Sequence, residues 1–133
     1  MAAPHLITGQ QGEKLAQEYL RSQGYRILAA NFRSRYGEID LICQKQENIV
    51  FVEVRVLKKS TEICPIQTIT QNKLQKILKT AAYYLSKHQL WDKPCQIDFI
   101  GITYSRGEWK VEHLPEIWKG ETVCGSNSSW QPW

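Results

Sequence analysis

The chain has 133 residues, 42% of them hydrophobic, enough to bury one core and too few for two ordinary domains. Seventeen basic against thirteen acidic residues leave a net charge of +4, which argues against an acidic, highly solvating chain and is compatible with a polyanionic partner. Cys43, Cys64, Cys95 and Cys124 lie far apart with no Cys-x-x-Cys pair, so a structural zinc site is not expected. Neither a secretory leader nor a membrane-spanning run is visible, and a reducing cytoplasm with no membrane partner is the expectation.

Residues 12–23 carry an apolar stripe of Leu15, Ala16, Tyr19 and Leu20, which predicts a first helix ended by Gly24. Glu13 falls at the inward edge of that stripe, whereas Glu18 and Arg21 face solvent. Residues 25–32, 38–44 and 48–57 read as three consecutive strands, with turns at Gly37 and at residues 46–48. Residues 60–68 contain Pro65 and read as a loop. Thr70 then caps a second helix, in which Leu74, Ile77, Leu78, Ala81, Ala82 and Leu85 recur at helical spacing. A fourth strand at 96–104 and a last one at 109–114 follow, and the strand-helix-strand crossover favours a parallel pairing within a mixed sheet. The expected fold is therefore a single α/β (α+β) domain over 1–120 in the order α-β-β-β-α-β-(β), with 121–133 a flexible tail.

Thirteen residues separate Asp40, in Gly37-Glu38-Ile39-Asp40, from Glu53, in Phe51-Val52-Glu53-Val54-Arg55. A two-residue turn at Gln46-Glu47 sets Asp40 opposite Glu53, and a turn at Glu47-Asn48 sets it opposite Arg55. In either register Asp40, Glu53 and Arg55 share one face, and Ile39, Leu41, Val52 and Val54 take the other. Two carboxylates converging beside one cation repel each other unless a positive charge intervenes, which suggests a hard divalent metal. Between Val54 and Trp91 seven basic residues face a single acid, Glu62, so that region offers phosphates a positive surface. His5, His88 and His113 read as surface or capping residues. Tyr83 and Tyr84 read as packing or helix-surface groups, and Trp91, Trp109 and Trp118 as covers for core edges.

A helix with Glu13, a hairpin with Asp40 and Glu53-Val54-Arg55, and then a basic helix resembles the restriction-endonuclease-like nuclease superfamily, whose motif is Asp, a spacer, then Asp/Glu-x-Lys. Within it the chain is similar to the YraN-like bacterial family. The likeness covers roughly residues 9–104, through Gly12-Glu13, Gly24-Tyr25, Asn31, Arg33, Gly37 to Ile42, Phe51 to Arg55, Lys73, Ala81 and Leu85. Archaeal Holliday-junction resolvases belong to the same superfamily and place a helix Glu eleven residues before a Gly, as Glu13 stands before Gly24. The resemblance implies a restriction-endonuclease-like core. It implies Glu13, Asp40, Glu53 and the Val54 carbonyl as ligands of Mg2+ or Mn2+, and Arg55 at the position of the catalytic Lys. It also implies DNA as the nucleic-acid substrate, branched or otherwise structured, and by analogy with the resolvases a homodimer.

Arg55 stays protonated and cannot act as a base, so its expected part is to clamp the scissile phosphate. Lys73 is expected at the nucleic-acid backbone near the second helix's N-terminus, with Lys76 beside it and with Lys58 and Lys59 compensating for the absent basic residue at Leu57. Cys95-Gln96-Ile97-Asp98-Phe99 departs from the family's Arg-Phe-Asp order, in what reads as a structural element. Taken singly, each acidic residue reads more readily as a solvated carboxylate, and the lysines as a solubilising face. The competing functions are a nucleic-acid-binding module with a degenerate site and a protein-interaction domain using the sheet edge or the aromatic tail.

Overall fold

A computed structural model describes residues 9–57 and 69–120. Seven elements follow one another: α1 (Gly9–Ser22), β1 (Arg26–Ser34), β2 (Gly37–Lys45), β3 (Asn48–Leu57), α2 (Gln71–Lys87), β4 (Cys95–Ser105) and β5 (Glu108–Gly120). The strands form one sheet in the order β1-β2-β3-β4-β5, with β3 and β4 parallel and the other neighbours antiparallel. This is the mixed α+β sheet that the element order predicts. The tail, residues 58–68 and His5 lie outside the described residues.

α1 ends as its glycine dictates. Gly24 adopts φ +91, Tyr25 N–H donates to Leu20 C=O and Gly24 N–H donates to Arg21 C=O, closing the last carbonyls of the helix. α2 begins on Thr70, whose hydroxyl accepts from Lys73 N at 3.0 Å. Such a cap contributes about 1 kcal/mol.

The helices cover opposite faces of the sheet. Ala16 and Leu20 of α1 pack on Leu41, Cys43, Val50, Val52, Val54, Ile100 and Ile102. On the other face Ile77, Leu78, Ala81, Tyr84 and Leu85 of α2 pack on Ile39, Ile42, Ile49, Phe51 and Ile97. Both faces of β3 and β4 are thus apolar, as a strand between two helical layers requires. Trp91 and Trp118 cover the edge of the α2 core, and Trp109 that of the α1 core, in line with the sequence reading. Gly12 is buried where α1 crosses β3; a Cβ there would overlap Val56 Cγ2, so the missing side chain sets how closely α1 approaches.

Strict alternation along β2 fails at one point. Ile39 was expected beside Leu41, yet Ile39 joins the α2 core and Leu41 the α1 core. The intervening residue is Asp40, where the regular β2–β3 register, which runs from Lys45↔Asn48 to Leu41↔Val52, stops. Released from the ladder, the strand turns about its own axis, and period-two counting holds only while the ladder does.

Candidate functional site

The hairpin joining β2 and β3 turns on Gln46-Glu47, with Lys45 opposite Asn48. Of the two registers compatible with the sequence, this one carries Asp40 toward Glu53. Where the ladder stops, the Asp40 carboxylate replaces a backbone acceptor: Val54 N–H donates to Asp40 Oδ2 at 2.8 Å. Asp40 and Glu53 also hydrogen-bond to each other through their side chains. Two carboxyl groups in such contact repel when both are ionised, which favours keeping a proton on one of them.

Glu53 is 3% exposed. Burial, and then the Asp40 charge, push its carboxyl up to about 7, against the opposing pull of Lys73 and Arg55. Asp40 is raised as well, chiefly by burial, with the Val54 N–H acting in the other direction. The cations come from two elements: Arg55 Nη2 of β3 stands 3.2 Å from Glu53 Oε2, and Lys73 Nζ from the first turn of α2 stands 3.8 Å from the same oxygen. Arg55 Nε is buried without an acceptor among the described residues. An unmet buried donor costs about 1–3 kcal/mol, so the guanidinium gains by swinging out to an anion.

Glu13 approaches from α1 at the same end of the sheet. Burial, followed by the charges of Asp40 and Glu38, raises its carboxyl, and the nearby Asn31 side chain acts in the other direction. Asn31 takes a left-handed φ of 54. Among the described residues no three His, Cys, Asp or Glu side chains stand close enough to hold a metal ion together. The structure therefore brings Asp40, Glu53, Arg55 and Lys73 into one cluster and leaves Glu13 in electrostatic range of it. Lys76 lies exposed one turn along α2 from Lys73, and Lys58 and Lys59 fall outside the described residues.

A second polar cluster escaped the sequence reading. His113 on β5 is no surface residue: its Nε2 lies 2.7 Å from Asp98 Oδ2 and its Nδ1 3.1 Å from the Tyr19 hydroxyl. Asp98 is fully buried and also accepts from Gln96 Nε2 at 2.8 Å and from Glu116 N at 3.0 Å. The backbone bond from Glu116 spans a register shift between Ile97 and Phe99, where β5 bulges around Pro115 and Glu116. Asp98 thus fastens α1, β4 and the bulge in β5 together. The signal was present in the sequence: an Asp amid Ile97, Phe99 and Ile100 sits in a strand with no solvent face. Cys43 shares this face, and burial together with Asp98 pushes its thiol up to about 12. Burial likewise lifts Cys95 to about 11, so neither thiol is an activated nucleophile.

A mixed sheet between two helices, with a buried Glu53 and a half-buried Asp40 flanked by two cations where β2 and β3 separate, defines a small α+β protein with an acidic site on its sheet. The chain belongs to the family described as Uncharacterised protein family UPF0102, whose pattern matches residues 12–102 and so takes in Glu13, Asp40, Glu53, Arg55 and Lys73. It is 40% identical over 126 residues to the UPF0102 protein of Lawsonia intracellularis, covering 94% of this chain and 96% of that one. A UPF0102 protein of Coxiella burnetii is 46% identical over 110 residues, 82% of this chain and 92% of the relative. One from Persephonella marina is 47% identical over 96 residues, 72% of this chain and 83% of the relative.

Proposed function

We propose that the chain is a divalent-metal-dependent nuclease in which Asp40 and Glu53 bind Mg2+ or Mn2+. The observation that carries this reading is the pairing of a buried Glu53 with a half-buried Asp40, both lifted toward neutrality. Two acids on neighbouring strands, able to share one cation, suit a hard divalent ion. Mg2+ needs only one or two carboxylates because it retains several waters, so the absence of a third acid in the cluster is compatible with it, and Glu13 acts through water. When bound, the ion supplies Lewis acidity toward phosphoryl oxygens and eases deprotonation of the attacking water.

The protein's own groups divide the remaining work. Asp40 is oriented by the Val54 N–H, which donates to its Oδ2. Arg55 rotates away from Glu53 to hold a phosphate oxygen, which gives its buried Nε an acceptor. Lys73 neutralises a second phosphate from the first turn of α2. Water excluded by the Phe51 and α2 core on one side strengthens each of these charge contacts.

A second reading is favoured by one observation: Arg55 and Lys73 already neutralise Glu53, as a site that binds nucleic acid without cleaving it would permit. Labelled linear and four-way-branched DNA incubated with the protein and Mg2+ or Mn2+ separates the two. The nuclease reading expects cleavage that Asp40→Asn lowers at least 100-fold, in keeping with loss of a group acting on the transition state. Salt-sensitive binding without cleavage under either metal supports the binding module instead.

A further inference from the structure

The tip of the β1–β2 hairpin and the middle of α2 enclose a cleft of about 350 Å3 lined by Ser34, Arg35, Tyr36 and Tyr83. Its volume is near the lower end of the roughly 300–1,000 Å3 usual for small-ligand sites. The hairpin tip is tied to α2 beside the cleft: Ser34 Oγ donates to Thr80 Oγ1 at 3.4 Å, and a Cβ at Gly37 would come into van der Waals contact with Lys76 and Thr80. Tyr36 and Tyr83, 36% and 43% exposed, are the large hydrophobic side chains left in solvent among the described residues. Tyr84, next to Tyr83, packs in the core, and Tyr83 takes the helix surface, the two places the sequence reading left open for them.

Both exposed rings carry cations. Arg35 lies 5.0 Å over the Tyr36 ring and bonds its hydroxyl at 2.9 Å, and Lys87 Nζ lies 6.0 Å from the Tyr83 ring centre. Phe32 backs Tyr83 at 6.1 Å between ring centres. No carboxylate lines the cleft among the described residues. Helical geometry joins this cleft to the acidic site. Residues 73, 76, 80, 83 and 87 recur at spacings of three and four and therefore form one stripe along α2. Lys73, on Glu53, and Tyr83, in the cleft, are ten residues apart along it, about 15 Å at 1.5 Å per residue.

We infer that this cleft binds an unpaired base of a single-stranded nucleic-acid segment, stacked against Tyr36 and Tyr83, with Arg35, Lys76 and Lys87 on the flanking phosphates. Aromatic faces accept any base, and cations beside them supply the backbone contacts. At 3.4 Å per stacked nucleotide the separation places the seated base about four nucleotides from the acidic pair. The inference deepens the proposed function by naming its substrate class: strands with unpaired bases, such as overhangs, flaps or gaps.

The test is fluorescence anisotropy in EDTA, which suppresses cleavage, with a labelled twelve-nucleotide single strand, the same strand with abasic sites, and a blunt duplex. The expected result is that Tyr83→Ala and Tyr36→Ala each weaken single-strand binding on the order of 10-fold, the usual scale for one stacked base. Tyr83→Phe retains wild-type affinity, since stacking needs only the ring, and the abasic strand binds wild type as weakly as the alanine variants bind the intact one. Duplex binding is unchanged throughout. Equal single-strand affinity in wild type and alanine variants, or indifference to abasic sites, overturns the inference even if Asp40-dependent cleavage is found. Tyrosine-dependent binding without cleavage under any divalent ion leaves the inference standing and removes the nuclease reading. No binding to any strand overturns both.

Discussion

Replacing Glu53 by glutamine isolates the energetic signature of the acidic pair. In the folded chain the Glu53 carboxyl keeps its proton until about pH 7, whereas the ordinary value, which applies to the unfolded chain, is 4.5. Between those two values the unfolded chain binds fewer protons than the folded one, so stability must fall as pH rises, the reverse of an ion-paired carboxylate. The interval corresponds to about 3 kcal/mol at 1.36 kcal/mol per pH unit, and the figure needs little discount for solvent because Glu53 is 3% exposed. In Glu53→Gln the introduced amide keeps the shape and a hydrogen bond for Asp40 but has no proton to lose. Urea unfolding followed by circular dichroism, in EDTA from pH 4.5 to 8.5, should therefore give similar stabilities near pH 5. The variant should be the more stable by about 3 kcal/mol at pH 8. Taking the difference between the two chains removes the titration of every group that does not interact with Glu53, and leaves that of the acidic pair itself. A difference that stays flat across the range, or a wild type that gains on the variant as pH rises, refutes the claim that Asp40 and Glu53 share a proton in the folded state.

Three further outcomes follow from the same geometry. At pH 8, Mg2+ at one hundred times its dissociation constant should stabilise the wild type by about 2.7 kcal/mol and leave Asp40→Asn unmoved, as read by thermal unfolding. His113→Ala should destabilise by about 3–5 kcal/mol, because it strips a partner from a fully buried Asp98; Tyr19→Phe, which removes only the outer hydroxyl, should cost about 1 kcal/mol in the same urea assay. Gly12→Ala should cost about 1–3 kcal/mol through overlap with Val56, and combining it with Val56→Ala should give less than the sum of the two single changes.

Much of this architecture was legible in the residues because local rules and tertiary packing agree. Gly24 ends α1 and Thr70 opens α2 where their chemistry requires, and the apolar spacing of Leu74 to Leu85 names the face that α2 buries. The separation of Asp40 and Glu53 carried the pairing to within two registers; only the turn geometry at Gln46, with φ 55, selects between them. What periodicity missed lies where the regular ladder breaks. Ile39 changes face at the end of the β2–β3 pairing, and β5 runs on to Gly120 past a bulge that needs the Asp98 carboxylate, a bond between residues eighteen apart. His113 looked unpartnered for the same reason: its partners, Tyr19 and Asp98, are ninety-four and fifteen residues away. The exposure of Tyr83 beside the burial of Tyr84 was within reach of the helical spacing, which sets Tyr83 opposite Leu74, Ala81 and Leu85 and Tyr84 nearer their face.

The most direct measurement of whether Asp40 and Glu53 form a cation site is anomalous diffraction from crystals soaked in Mn2+ at pH 8. A manganese peak bridging the Asp40 and Glu53 carboxylates, absent from Asp40→Asn crystals, is the predicted result. Crystals whose two carboxyl groups remain hydrogen-bonded to each other at saturating Mn2+, with no peak between them, would contradict it.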